Sequence, residues 1–212
     1  MKRLRLILLV NFQDVKFQEK NSQSLYFNVA NTPGYCDVNG FKGSVADYFK
    51  DQSRGLFELT FDVVGPVTVS KNAAYYGEND MNGDDKHPEE MVVEAVTLVK
   101  DQISNWKQYD WNDDHEVDQV MIIYAGEGEA DGGAENTIWP HEWELQYVNK
   151  VFEVADGIKV NTYAVANEGY VQQDYWAGMD YFHINGIGTI CHEFSHCLGL
   201  MDMYDVSYSR RG

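Results

Sequence analysis

The stretch ICHEFSHCLGLMDMYD, residues 190–205, constrains this chain more than any other. Two histidines stand four apart, Glu193 follows the first, and Gly199 and Asp202 come at fixed distances after the second. The apolar spacing predicts a helix over 187–198. At about 100° per residue, His192 and His196 then differ by only about 40°, so both imidazoles project from one face. Ile190, Phe194 and Leu198 fall on the opposite side. The helix is expected to have an apolar back and a reactive front.

Two neutral imidazole nitrogens on a rigid support suit zinc. Glu193, about 80° from the centre of the histidine stripe, stands beside the ion, where it can hold a water but not readily ligate. Gly199 breaks the helix at a position where positive φ is easy and lets the chain turn back. Asp202, six residues after His196, is then placed to be the third ligand, an acceptable oxygen donor where the elongated zincin pattern carries histidine. Asp205 is its nearest rival. The two-histidine pattern alone would arise by chance about once in 100 such chains. Adding the glycine and aspartate lowers this to about once in 10,000, with positions treated as independent.

The 212 residues suit one domain with a full core. A net charge of −18 disfavours nucleic acid and anionic membrane surfaces as partners. The only uninterrupted apolar run near the start, Leu6 to Val10, is too short and too soon followed by Asn11, Gln13 and Asp14 to be a signal segment. It reads as a first strand, 4–11. No segment is long and apolar enough to cross a membrane. Three cysteines imply no disulfide framework, and Cys191 and Cys197, about 9 Å apart in helical rise, cannot bridge each other. Buried packing is their expected role.

Along the chain, a helix is predicted over 43–54, a strand over 56–64, and a polar acidic loop over 77–87. A second helix opens at Pro88, with two glutamates in its first turn. A buried strand is expected over 117–125, an irregular glycine-rich loop over 126–140, and a hairpin over 151–166 turning at Asp156-Gly157. Strands mixed with helices predict a layered α/β domain.

HEFSHCLGLMDMYD (192–205) resembles the signature of the immune-inhibitor-A-like secreted bacterial metallopeptidases. So do FQDVKF (12–17), YYGEND (75–80) ahead of the PEEMVVEAV helix (88–96), DWNDDHEVDQVMIIYAG (110–126) and IWPH (138–141). The resemblance implies a metzincin-like fold: a twisted mixed sheet, an active-site helix beneath it, and a cleft bordered by an edge strand. It implies His192, His196 and Asp202 as zinc ligands and Glu193 as general base in peptide-bond hydrolysis of protein substrates, outside the cell or on its surface. It also implies a single catalytic domain over 1–212, truncated after the motif. A leader or propeptide, and a lower subdomain bearing a methionine turn, would be missing. Met201 and Met203 lie inside the motif and cannot supply that turn. The competing readings are a catalytically inactive peptidase-like module that binds calcium or zinc, and a zinc hydrolase acting on something other than peptides.

YDWNDDHEVD (109–118) sets Asp110, Asn112, Asp114, Glu116 and Asp118 at every second position. Alternating oxygen ligands in a tight loop can wrap calcium. The loop is not an EF-hand, because His115 stands where glycine is needed and Met121 where the bidentate glutamate is needed. A solvated acidic turn is the alternative, and the family resemblance favours calcium. Asp80, Asn82 and Asp84 repeat the alternation more weakly. His141 reads as a surface or supporting residue and Glu168 as part of a solvated loop. Tyr204, Tyr208 and His183 are candidates for an oxyanion donor, with nothing to choose between them.

Overall fold

A computed structural model describes residues 2–36, 40–155, 157–174, 176 and 178–202. Its elements are β1 (Lys2–Asn11), α1 (Ser22–Asn31), α2 (Val45–Gln52), β2 (Glu58–Thr68), α3 (Ala73–Tyr76), α4 (Pro88–Val99), β3 (Glu116–Val117), β4 (Val120–Tyr124), β5 (His141–Glu144), β6 (Phe152–Ala155), β7 (Ile158–Val160), β8 (Thr162–Asn167), β9 (Gly169–Asp174), β10 (Met179–Ile184) and α5 (Gly188–Cys197). The fold is mixed α/β, as the alternation of patterns predicts.

Five strands form the main sheet in the order β2-β1-β4-β8-β5. The first four run parallel and β5 pairs antiparallel with β8. Parallel strands covered on both faces must be apolar throughout, and all five residues of β4 are buried. Leu6, Leu8, Val10, Val120, Ile122, Tyr163 and Val165 face α4 and Trp106. Ile7, Leu9, Phe61, Met121, Ile123, Ala164 and Ala166 face α1, α2 and α5. The result is three layers, helix–sheet–helix.

Local chemistry explains the predicted helices. Ser44 and Asp47 cap α2 reciprocally, each side chain accepting the other's backbone N–H. Pro88 stands in the first turn of α4, followed by Glu89 and Glu90. The expected 151–166 hairpin is corrected in part. β6 and β7 do pair antiparallel, but the chain leaves that sheet at Asn161 and β8 joins the main sheet. Asn161 marks the switch: its carbonyl and side-chain oxygen accept the N–H groups of Leu145 and Gln146.

Gly77 tightens the region above β5. A Cβ there would lie 2.6 Å from backbone atoms of Thr137 and Ile138, so only glycine lets the 77–87 loop approach the segment entering β5.

Candidate metal centre

α5 packs across β8 and β5 on the face opposite α4. Its apolar back is Ile190, Cys191 and Phe194, and Phe194 meets the rings of Phe49 and Phe61 at 4.9 and 6.0 Å. The small Ala164 and Ala166 of β8 form part of the seat. With the back fixed, His192 and His196 emerge together on the front, their rings 4.7 Å apart.

The helix ends in a Schellman turn. Leu200 N–H donates to the carbonyl of Ser195, Gly199 N–H donates to that of His196, and Gly199 sits at φ +82°. The turn returns the chain so that Asp202 Oδ1 lies 3.3 Å from Nε2 of His192 and 3.3 Å from Nε2 of His196. The two Nε2 atoms are 3.2 Å apart. A tetrahedral ion with ligands at about 2.0–2.1 Å needs ligand atoms about 3.3–3.4 Å from one another. The triangle therefore has the size that zinc imposes. Three lone-pair-bearing atoms this close repel unless a cation or protons lie among them.

His196 Nδ1 lies 2.8 Å from the carbonyl of Leu200. Donating its proton there leaves Nε2 with a free lone pair facing the triangle, the orienting arrangement common to metal-bound histidines. Glu193 stands to one side. Its Oε1 is 4.0 Å from His192 Nε2, so it joins the two histidines in one cluster but lies beyond the edge length of about 3.3–3.4 Å that a tetrahedral shell requires. Glu193 is 6% exposed, and burial, reinforced by Asp202 and Glu142 and opposed by His196, pushes its carboxyl up to about 7. A cation in the triangle would favour the carboxylate form and draw that value down.

Burial raises the thiol of Cys191 to about 12 and that of Cys197 further, so both stay protonated and apolar in character. Asp205, Tyr204 and Tyr208 lie outside the described residues. His183 stacks on Tyr170 in the β9–β10 hairpin. His141, on β5, faces away from the His192–His196 pair: its ring bridges the carbonyl of Trp139 and the hydroxyl of Tyr163 on the α4 side of the sheet. Burial lowers its basicity.

Glu168 differs from expectation. It is fully buried, not solvated, and accepts the N–H groups of Gln18 and Gly126, tying two loops together. Nothing in VANEGY signals this, because both donors are distant in sequence. Glu142, which sequence reasoning did not single out, lies on the α5 side of β5 and acts electrostatically on Glu193 and His196. Strand alternation through IWPHEWE could have placed it there.

The 110–118 loop is an internal hydrogen-bond network. Asp110 accepts the N–H groups of Asp114 and His115, Asn112 accepts that of Asp114, and Asp114 accepts that of Glu116. Asp118 accepts Trp111 N–H and faces the buried Arg5 guanidinium at 3.7 Å. Arg5 lies over the Trp111 ring, 3.0 Å from its centre, with the Phe194 ring at 5.4 Å. Asp80 likewise accepts the N–H groups of Asn82 and Asp84.

A family model described as "Immune inhibitor A peptidase M6, catalytic domain" matches residues 6–212. The chain is 29% identical over 217 residues to pre-pro-metalloprotease PrtV of Vibrio cholerae serotype O1, covering 93% of this chain and 22% of that protein. It is 30% identical over 256 residues to immune inhibitor A of Bacillus thuringiensis subsp. alesti, covering 98% of this chain and 34% of that one. The chain thus spans about a fifth to a third of the length of these relatives.

Proposed function

The chain belongs to the immune inhibitor A M6 peptidase family, and from that premise we propose that it is a zinc-dependent endopeptidase acting on proteins. His192, His196 and Asp202 hold the ion, and Glu193 is the general base. The observation that carries this reading is the triangle of 3.2, 3.3 and 3.3 Å among the three ligand atoms, with a carboxylate 4.0 Å to one side. Zinc held there supplies Lewis acidity and makes a hydroxide nucleophile available at neutral pH.

Glu193 does the proton work. As water attacks the scissile carbonyl, a carboxylate oxygen of Glu193 accepts its proton and then passes it to the leaving amine. The buried setting of Glu193 keeps bulk water from competing for that proton. An extended substrate pairs with the outer edge of β5, which no described strand occupies. The fold is read as metzincin-like on the same grounds: a mixed sheet, a helix carrying the histidines, and an edge strand beside them. The reading includes release or display outside the cell, and calcium at Asp110, Asn112, Asp114, Glu116 and Asp118 on the strength of their alternation.

Casein hydrolysis by the purified full-length protein tests the proposal. Activity should need zinc, disappear with a chelator, and fall at least about 100-fold in Glu193→Ala, which should still bind the ion. No cleavage with one equivalent of zinc bound would defeat it.

A further inference from the structure

A cleft of about 620 Å³ opens along β5, lined by Asp84, Asp85, Glu89, Trp139, His141 and Trp143 among others. Register fixes its relation to the metal centre. His141 and Trp143 stand beside Val165 and Tyr163, which face α4, whereas Glu142 stands beside Ala164, which faces α5. The cleft and the histidines therefore flank the same edge strand on opposite faces of the sheet. Side chains of an extended peptide alternate between faces. If one substrate side chain points toward α5, its neighbours lie over this cleft.

The lining has one chemical character. Three carboxylates, Asp84, Asp85 and Glu89, lie on this side of the strand, and no lysine or arginine lines the cleft among the described residues. Two indole rings border it, Trp139 and Trp143, 51% and 46% exposed. Asp85 Oδ2 accepts Trp139 N–H, but its buried Oδ1 has no hydrogen-bond partner among the described residues. Crowding raises the Asp85 carboxyl to about 6, through burial first and then Glu129, Glu89 and Asp84. An uncompensated carboxylate beside exposed indole faces suits a cation on an apolar stem, which ion pairing and cation–π contact would both hold.

We propose that this cleft is a substrate subsite that selects lysine or arginine at a position next to one whose side chain faces the metal centre, with Asp85, Glu89 and Trp143 as its selecting residues. The inference rests on the peptidase reading, and its test is made independent of turnover. Blocked alanine pentapeptides with a central lysine, norleucine or glutamate are titrated calorimetrically against zinc-loaded Glu193→Gln protein. The lysine peptide should bind about tenfold tighter than the norleucine peptide, and the glutamate peptide more weakly than either. The lysine preference should collapse in Asp85→Asn/Glu89→Gln and shrink in Trp143→Leu, while norleucine binding to the acid-to-amide variant stays unchanged. Trp143 is exposed, so its variant keeps the fold even if the double variant is impaired. Equal affinity for lysine and norleucine peptides, absence of binding by both, or a preference that survives the variants overturns the subsite. Casein cleavage by the wild type, measured in parallel, reports separately on the peptidase reading.

Discussion

Gly199→Ala isolates the turn that brings Asp202 back to the histidines. Gly199 has φ +82°, and a Cβ added there would meet no atom within 4 Å. The substitution therefore costs backbone strain without a clash, about 1–2 kcal/mol for an L-residue in the left-handed region. Where that cost appears depends on what the segment buries. Leu198, Leu200 and Met201 are all exposed, so the turn can open without disturbing the core. The strain should then bias the local closed–open equilibrium and leave global unfolding nearly untouched. Since Asp202 reaches the triangle only in the closed turn, zinc affinity should fall about 5- to 30-fold, the strain expressed as a ratio. Competition with a chromophoric chelator measures this, and thermal unfolding without zinc should shift by less than about 2 °C. Gly199→Asn, which tolerates this region, should recover most of the affinity. Wild-type affinity in Gly199→Ala, or equal losses in the alanine and asparagine variants, would refute the role given to the turn.

Other outcomes follow from the same geometry. His192→Ala removes a ligand atom outright, so its zinc affinity should drop by more than the 10- to 100-fold typical of lost supporting contacts, and elemental analysis should find the purified variant empty of zinc. Phe194→Ala deletes a fully buried ring from the back of α5 and should cost about 3–5 kcal/mol in urea unfolding. Asp85 titrates higher folded, at about 6, than its ordinary value near 4, so its contribution to stability is largest below about pH 4 and is lost as pH rises to about 6. Asp85→Asn should remove that part of the pH dependence, and an unchanged slope between the two proteins would contradict the assigned burial and crowding.

What could be read in the chain beforehand was whatever local chemistry decides. Ile190 and Phe194 of the α5 stripe, the Gly199 break, the Pro88 start and the Ser44 cap are each set by residues within a turn of one another and stand where the pattern places them, whereas Leu198, expected on the apolar back, is exposed past the helix end. The β1 run is legible because a strand buried on both faces must be continuously apolar. The rest depends on partners far away. α1 begins at Asn21 without a side-chain cap or acidic first turn, so its helix rests on Tyr26, Val29 and Ala30 packing against the sheet. β9 and β10 are largely exposed strands that pair with each other apart from the main sheet, with Gly169 and Val171 also tied to the 126–127 segment. The burial of Glu168 needs donors at 18 and 126, and the cleft beside β5 needs Asp85 to meet Trp139 across 54 positions. In the site itself, the spacing of His192, His196 and Asp202 was legible because a helix and one tight turn generate it. Strand alternation sets Glu142 on the face opposite His141 and Trp143, but its nearness to the histidines was not legible, because that depends on which strand lies beside β8.

Ala164 and Ala166 act as shims. Each is a single methyl between the sheet and the helix above it, so their bulk sets how high α5 rides. Swapping either for valine would lift the imidazoles relative to the neighbouring β5 rim, altering reach without touching an ion or a substrate. The working distance at this site is thus written into two side chains behind the helix.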